Sequence, residues 1–275
     1  MIRPRSYIET VISTSRASLI VVSEVEVARR VIGLIDATNL SDDCTDDDVV
    51  ELCERASGPG AAAAGVCIYP QFVGLARKRL DELGSDAETT VRLVTVVNFP
   101  GGNEDVDDVV AATRNALDDG ADEIDMVLPY QRFLGGETEP AAAVIDAVRQ
   151  ATGNKTLKVI IETGAMSERA QVDATARFVV EHGADFVKTS TGKIDVSATP
   201  EAVETILGVL TTADRPVGVK AAGGVRDLAE AAAYLELADR IMGDGWVSAA
   251  TFRFGSSSLL ATALAALDEP EEAQA

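Results

Sequence analysis

The sequence predicts an α/β protein, a (β/α)8 TIM barrel with an N-terminal helical extension. Short apolar runs begin about every thirty residues, and stretches with helix signals separate them, as in a repeated βα unit. Several runs are apolar on both faces, as at residues 159–161, which is typical of parallel strands covered by helices. Eight such units favour a closed barrel over an open doubly wound sheet, and no G-x-G-x-x-G motif follows the first run.

The segments between the apolar runs start and stop like helices. Thr45 precedes three aspartates and Thr199 precedes Pro200, two patterns typical of a helix N-terminus. Gly120 and Gly183 each precede Ala-Asp and an apolar run, as expected where a helix ends and a strand follows. In chain order, the predicted strands span residues 34–37, 65–68, 92–97, 123–128, 157–162, 186–189, 217–221 and 251–254.

We expect one domain over residues 1–275, with the helical extension at 1–33, the barrel at 34–267 and a disordered acidic tail at 268–275. No stretch approaches the roughly 18 uninterrupted apolar residues of a transmembrane helix. The early apolar run at residues 19–22 is short and is followed by Glu24 and Glu26, unlike the core of a signal peptide. The sequence therefore predicts a cytoplasmic protein.

The composition excludes several classes of function. Asp plus Glu number 45 against 24 Lys plus Arg, a net charge of −21 that disfavours nucleic acid and anionic membranes as partners. Cys44, Cys53 and Cys67 have no paired spacing, so neither a disulfide framework nor a zinc site is predicted. The single histidine, His182, supports neither a metal site nor a catalytic triad and fits a helix end. We therefore expect chemistry without a metal, based on lysine, carboxylates and hydroxyls.

Lysine is rare in this chain, and two lysines end neighbouring predicted strands. Lys188 closes the sixth strand and is followed by Thr-Ser-Thr-Gly-Lys, and Lys220 closes the seventh. A buried ammonium is costly unless it is paired or its pKa shifts. A primary amine attacks a carbonyl carbon only when it is neutral, and a second ammonium nearby favours that form. Lys188 is therefore the predicted nucleophile and Lys220 the charge that tunes it, although an ion pair with a strand-end carboxylate explains either lysine alone.

Carboxylates also fall at strand positions where the active site of such a barrel lies. Asp125 sits inside the apolar run DEIDMVLPY, so it must be paired or functional. We interpret it as a proton-transfer group acting through water, and a salt bridge to Lys188 or Lys220 is compatible with that role. Asp36 has the same character on the first strand but ranks lower, because it could simply orient Lys220 or cap a loop. Glu162, which closes the fifth strand, is a weaker catalytic candidate.

A separate pattern predicts an anion site. Glycine-rich turns follow the seventh and eighth strands, where barrels commonly bind phosphate with backbone amides and hydroxyls at a helix N-terminus. Each turn alone is compatible with an ordinary βα connection, but together they indicate a phosphorylated small-molecule substrate. The predicted binding residues are Thr191, Gly192, Lys193, Gly223, Gly224, Arg226, Gly255, Ser257 and Ser258.

Eight segments in order, between about residues 34 and 264, make the chain resemble the deoxyribose-phosphate aldolases, class I aldolases on a (β/α)8 barrel. The matching segments are IDATNLSDDCT, CIYPQFV, TVVNFPGGN, ADEIDMVLPY, LKVIIETG, ADFVKTSTGK, VGVKAAGGVR and FRFGSSSLL. The resemblance implies reversible cleavage of 2-deoxy-D-ribose 5-phosphate to acetaldehyde and D-glyceraldehyde 3-phosphate, in deoxynucleoside breakdown. It implies Lys188 as the Schiff-base lysine, Lys220 as the neighbour that lowers its pKa, and Asp125 as the residue assisting proton shuttling. It also implies a phosphate site built from the glycines, serines and lysine named above, no metal or organic cofactor, and by analogy a homodimer.

The chain departs from the family pattern at a few positions. Ala37 and Asn39 stand where many relatives have threonines, Gly101 replaces a frequent histidine, and Ala221 replaces a frequent proline. The tail also lacks the C-terminal tyrosine that some relatives fold over the site. These departures bear on acceptor preference and loop geometry, and none touches the predicted nucleophile, its tuning lysine or Asp125.

Two alternatives remain open from the sequence. The first is another Schiff-base barrel, such as a transaldolase or a sugar bisphosphate aldolase, which would share a lysine and a phosphate site. The second is a non-catalytic barrel that binds a phosphorylated metabolite, which leaves the paired strand-end lysines and the strand-buried aspartate unexplained.

The acid-rich, lysine-poor composition resembles that of proteins from a high-salt cytoplasm. We therefore predict that activity is retained in molar KCl, because salt screens the mutual repulsion of an excess of carboxylates. Activity measured across a KCl series tests this. Full activity in dilute buffer together with loss of activity in molar KCl would contradict the prediction.

Overall fold

The computed structural model describes residues 23–58, 62–84, 91–103 and 105–268. Eight parallel strands close into a barrel in chain order, with the last strand hydrogen-bonded to the first. The predicted (β/α)8 barrel is thus confirmed. The strands are β1 (Ile35–Asn39), β2 (Gly65–Ile68), β3 (Arg92–Val97), β4 (Glu123–Val127), β5 (Thr156–Ile160), β6 (Phe186–Lys188), β7 (Gly218–Ala222) and β8 (Phe252–Ser256).

Helices surround the barrel and begin where the sequence indicates. Thr45 caps the second helix through a reciprocal capping box with Asp48, and the Thr199 hydroxyl accepts a hydrogen bond from the Ala202 amide before the eighth helix. The described helices are α1 (Glu24–Ile32), α2 (Asp46–Ala56), α3 (Val73–Gly84), α4 (Val106–Asp118), α5 (Tyr130–Leu134), α6 (Thr138–Thr152), α7 (Arg169–Glu181), α8 (Pro200–Leu210), α9 (Leu228–Met242) and α10 (Leu259–Asp268). Short 3-10 helices at Pro70–Phe72 and Thr163–Ala165 follow β2 and β5.

The two ends of the chain are described only in part. Helix α1 belongs to the predicted N-terminal extension and packs against α10 and α9. Residues 1–22, including the apolar run at 19–22, lie outside the described residues. Helix α10 runs to Asp268, one residue beyond the predicted end of the barrel, and the remaining predicted tail, 269–275, lies outside the described residues.

All eight strands agree with prediction to within two residues, and β2 and β3 match the predicted bounds. Strand β5 ends at Ile160, two residues before the predicted end at Glu162. Glu162 is fully buried and follows the apolar run at residues 159–161, but its backbone has a left-handed φ of 55°. A residue in that region turns the chain out of the strand, and a 3-10 helix follows it.

The interior of the barrel is charged as well as apolar. Lys158 and Lys220 are among the largest fully buried side chains of the described residues. Lys158 Nζ lies 2.9 Å from Asp125 Oδ1, contacts Glu123, and lies 3.7 Å from Asp36 Oδ2. Charges out of water are tolerated only when paired in this way.

Arg253 on β8 completes this cluster from the other side of the barrel. Its guanidinium donates to Asp36 Oδ1 at 2.5 Å and to Glu123 Oε1 at 3.2 Å. Strand glycines make room for the charged groups. A Cβ at Gly255 would lie 3.0 Å from Lys220 Cε, and one at Gly65 would lie 3.0 Å from Asp36 Oδ1. We call Asp36, Glu123, Asp125, Lys158, Lys188, Lys220 and Arg253 the buried ionic cluster.

The mean hydropathy of the chain is +0.11. Within the described part of the chain, none of the helices combines the length and the apolar character needed to cross a membrane.

We predict that Lys158→Met lowers the free energy of unfolding by about 3–5 kcal/mol, because it leaves carboxylates buried without their cation. Lys155→Met is the matched control, since Lys155 is half exposed and lies 3.4 Å from Asp122. That exposed pair contributes about 0–1 kcal/mol. Urea unfolding followed by circular dichroism measures both variants, and equal stability of the two would contradict the prediction.

Candidate active site

A cavity of about 630 Å³ opens at the carboxyl ends of the strands. The loops after β1, β6, β7 and β8 form its walls, as expected for a barrel of this kind. Of the sequence-predicted site residues, those that line it are Lys188, Thr191, Gly192, Lys193, Gly223, Gly224, Arg226, Gly255, Ser257 and Ser258. The other three, Asp36, Asp125 and Lys220, are fully buried and do not line the cavity.

The cavity wall is cationic although the chain is strongly acidic. Arg55, Lys188, Lys193 and Arg226 contribute positive charge to the lining, against the single carboxylate of Asp195. The net charge of the whole chain is −21. A positively charged concavity attracts and concentrates anionic ligands, so the charge pattern favours an anionic small molecule.

Lys188 joins the cavity to the buried ionic cluster. It is the last residue of β6, and its side chain is only 3% exposed. Its Nζ lies 2.8 Å from Asp125 Oδ2. Among the members of the cluster, Lys188 is the one that lines the cavity. The structure therefore presents one lysine amine to a bound ligand and surrounds it from below with fixed charges.

Asp125 is shared by three lysines. Its Oδ2 accepts hydrogen bonds from Lys188 and Lys220, both at 2.8 Å, and its Oδ1 accepts from Lys158 at 2.9 Å. Burial acts to raise the pKa of Asp125, but the three ammonium groups outweigh it and hold the pKa well below the ordinary value. The carboxylate thus stays ionised, and the salt bridges expected from the sequence are both present.

Lys220 is held as a permanent cation. Its Nζ contacts Asp36 Oδ2 at 2.5 Å as well as Asp125. Burial acts to lower the pKa of Lys220, yet the carboxylates of Asp125 and Asp36 raise it above the ordinary value. Asp36 in turn has a lowered pKa, because Lys220, Arg253 and Lys158 outweigh the burial that opposes ionisation. Asp36 is thus in direct contact with Lys220 beneath the cavity, as the orienting role considered from the sequence requires.

Sequence reasoning missed Lys158, Glu123 and Arg253. The signal was the two-residue period of a strand, which puts Glu123 and Asp125 on the same face of β4. Lys158 is the Cα partner of Asp125 across the β4–β5 pair, so both point into the barrel. Arg253 is likewise the partner of Lys220 on β7. Like Asp125, these three are charged residues inside largely apolar strands, and that is the signal by which the sequence could have indicated them.

The glycine-rich turns differ from expectation in one respect. Gly223 and Gly224 follow β7 with φ values of 76° and 86°, a conformation that favours glycine. Gly255 and Ser256, expected in the loop, are instead the last residues of β8. Ser256 Oγ accepts from the Leu259 amide at 3.1 Å and donates to Val225 O at 2.8 Å. Ser256 thereby caps α10 and ties the two turns together.

Lys193, a predicted phosphate ligand, already has a partner. Its Nζ donates to Asp42 Oδ1 at 2.9 Å, and Tyr69 donates to the same oxygen at 3.2 Å. The Asp42 side chain is 90% exposed. An ion pair so open to water is weak, so an incoming anion can compete with Asp42 for the ammonium.

Cys67 and His182, two other residues considered from the sequence, do not line the cavity. Cys67 is fully buried, and burial raises the pKa of its thiol. His182 caps the end of α7 and lies 2.7 Å from Asp146.

Of the positions where the chain departs from the family pattern, Asn39 lines the cavity, whereas Ala37 and Ala221 are buried. Across the described ranges, no group of three or more His, Cys, Asp or Glu side chains is placed to hold a metal ion.

The chain is similar to known proteins both in sequence and in structure. The model of the DeoC/LacD family aldolases matches residues 30–263. A candidate deoxyribose-phosphate aldolase from Toxoplasma gondii ME49 is 25% identical with a TM-score of 0.81, and the match covers 92% of this chain and 98% of that one.

Two further solved structures have similar names. A candidate deoxyribose-phosphate aldolase from Coccidioides immitis is 29% identical with a TM-score of 0.72, covering 86% of this chain and 85% of that one. The deoxyribose phosphate aldolase from Aeropyrum pernix, described as a tetramer, is 25% identical with a TM-score of 0.71, covering 90% and 93%. The chain belongs to the DeoC/LacD family and is an aldolase, a lyase that acts on carbon–carbon bonds.

Proposed function

We propose that this aldolase reversibly cleaves 2-deoxy-D-ribose 5-phosphate to acetaldehyde and D-glyceraldehyde 3-phosphate through a Schiff base on Lys188. The observation that carries the proposal is the position of Lys188, whose Nζ contacts Asp125 and which also lines the cationic cavity. The residues predicted to bind phosphate line the same cavity. The names of the Toxoplasma, Coccidioides and Aeropyrum relatives support the same substrate.

Lys188 is the member of the buried ionic cluster that can exchange a proton with the cavity, because among the cluster members it is the one that lines the cavity. In this proposal it gives up a proton to become the neutral amine that nucleophilic attack requires.

The reaction then proceeds by covalent catalysis. The Lys188 amine adds to C1 of the open-chain sugar, and loss of water gives an iminium ion. Removal of the proton from the C3 hydroxyl breaks the C2–C3 bond, which releases glyceraldehyde 3-phosphate and leaves an enamine. Protonation of the enamine at C2 and hydrolysis of the resulting imine release acetaldehyde and restore the amine.

Asp125 and Lys220 support these steps from beneath. In this proposal the Asp125 carboxylate, which Lys158 and Lys220 help to keep ionised, balances the positive charge of the iminium ion on Lys188. Lys220 keeps its own charge, because Asp125 and Asp36 raise its pKa, and it lies beside Lys188 across the β6–β7 pair. Proton transfer to and from the substrate runs through water in the cavity, and Asp125 assists this transfer through its hydrogen bond to Lys188. Asp36 acts only through Lys220.

The phosphate would bind at the other end of the cavity. Gly223 and Gly224 bring the backbone close, Ser257 and Ser258 precede α10, and Arg226 adds charge. Thr191, Gly192, Lys193 and Gly255 complete the predicted set. We propose that Lys193 exchanges Asp42 for the phosphate when substrate binds.

We also propose three wider expectations, of which the first and third rest on the resemblance and the second on the absence of a signal-peptide or membrane-spanning pattern in the sequence. They are a role in deoxynucleoside breakdown, a cytoplasmic location, and a homodimer. The tetramer described for the Aeropyrum relative supports self-association. Light scattering on the purified chain tests the last of these, and a monomer at micromolar concentration would contradict it.

Borohydride trapping tests the Schiff base. With acetaldehyde and borohydride we expect an ethyl group on the peptide that carries Lys188, because hydride reduces the imine to a stable secondary amine. Peptide mass spectrometry identifies the modified lysine. Lys188→Leu should abolish trapping and cleavage, and Lys155→Leu, which removes an exposed lysine, should retain both. An adduct spread over other lysines, or turnover unchanged in a folded Lys188→Leu variant, would end the mechanism.

Substrate choice separates the proposed reaction from its alternatives. We expect cleavage of 2-deoxy-D-ribose 5-phosphate at least 100-fold faster, in kcat/KM, than cleavage of fructose 1,6-bisphosphate, a preference of about 3 kcal/mol. A coupled assay for the aldehyde products measures both rates. Preference for the bisphosphate would favour another Schiff-base aldolase, and phosphate binding without any cleavage would favour the non-catalytic barrel.

A further inference from the structure

Glu162 stands out among the buried acids because no part of the proposed reaction uses it. It follows β5 and is fully buried. Its backbone adopts a left-handed conformation with φ 55° and ψ 62°. A non-glycine residue in this region is strained and persists only where its surroundings hold it in place.

The Glu162 carboxyl group binds the loop that follows Lys188. Thr191 Oγ1 donates to Glu162 Oε2 at 2.5 Å, and the Thr191 amide donates to Glu162 Oε1 at 3.2 Å. The Lys193 amide in turn donates to Thr191 Oγ1 at 3.0 Å. Because the hydroxyl accepts from Lys193, its own proton is directed to Glu162. The result is a continuous hydrogen-bond chain from Lys193 through Thr191 to Glu162, in which each bond strengthens the next.

The residues that follow Glu162 support the same loop through a backbone hydrogen bond and through close packing. The Thr163 amide donates to Thr189 O at 2.8 Å. Gly164 lies so close to the loop that a Cβ built on it would be 1.9 Å from the carbonyl oxygen of Val196. The turn that begins at Glu162 thus forms a platform under the loop after β6.

Thr191, Gly192 and Lys193 line the cavity together with later residues of the same loop, whereas Glu162 does not line it. A carboxyl group next to a phosphate would repel it, and here Thr191 stands between the two. Burial also raises the pKa of Glu162, against the opposing effect of the Thr191 hydrogen bonds.

We propose that Glu162 is a positioning residue that holds the Thr191–Lys193 segment in the geometry that binds the phosphate of the substrate. The inference deepens the proposed function and rests on it for the identity of the substrate. It assigns Glu162 to phosphate recognition alone, and leaves carbon–carbon chemistry at Lys188 independent of it.

The test compares Glu162→Ala with Glu162→Gln. The alanine variant should raise the KM for 2-deoxy-D-ribose 5-phosphate and the Kd for inorganic phosphate about ten-fold, because the hydrogen-bond chain loses its acceptor. Trapping of acetaldehyde at Lys188 and cleavage of 2-deoxy-D-ribose, which has no phosphate, should stay within about two-fold of the parent. Glutamine keeps an acceptor oxygen, so Glu162→Gln should stay close to the parent in all measurements.

Equal losses for the phosphorylated and unphosphorylated sugars would overturn the proposal, since they would indicate a general structural role. Phosphate affinity that is unchanged in Glu162→Ala would overturn it as well. Glu162→Met gives a second check if the alanine variant does not fold, because it removes the acceptor oxygens while filling similar space. It should reproduce the phosphate-specific loss, and normal phosphate affinity would count against the proposal.

The two proposals fail in different ways. If the parent protein does not trap acetaldehyde at Lys188, the aldolase mechanism fails. Calorimetric titration with inorganic phosphate still tests Glu162 in that case, because it depends on no catalytic step.

Discussion

The Asp125 carboxylate, bound by three lysine ammonium groups inside the barrel, is the interaction on which the site depends. Removing charged groups from water is so costly that each must find partners within the barrel. Asp36, Glu123 and Arg253 provide the remaining partners, and the cluster therefore connects β1, β4, β5, β6, β7 and β8. Its members have no freedom to turn away. This rigidity places the Lys188 amine at a fixed point on the cavity floor.

The arrangement separates the two tasks that an aldolase of phosphorylated sugars must perform. The buried ionic cluster sets the charge around Lys188 from below, and the loops after β6, β7 and β8 line the cavity above it. The buried ionic cluster and the loops act through different contacts, so the reacting carbon and the phosphate of the substrate can be recognised independently. The hydrogen-bond chain from Lys193 to Glu162 belongs to the second task only. Family membership and site geometry therefore agree on the class of chemistry.

The acidic exterior and the cationic cavity have separate physical roles. With a net charge of −21, the chain as a whole repels anions, yet the cavity lining carries more cations than carboxylates. The local positive potential must therefore overcome the field of the rest of the molecule. The acidic exterior and the cationic cavity interact directly at Lys193. Its ammonium is bound by the surface acid Asp42, which competes with phosphate for the same cation.

The amino-acid sequence by itself determined the barrel, the order of its strands and the two lysines at the ends of β6 and β7. It could do so because periodicity and turn residues are local signals, and because buried charge in an apolar strand is conspicuous. Only the tertiary structure decided how far the cluster extends and which of its members face the cavity. It also revealed that Glu162 lies beyond the end of β5 and binds the loop that follows Lys188. These features depend on register between strands distant in the chain, and a single residue of shift would reverse the side on which each side chain points.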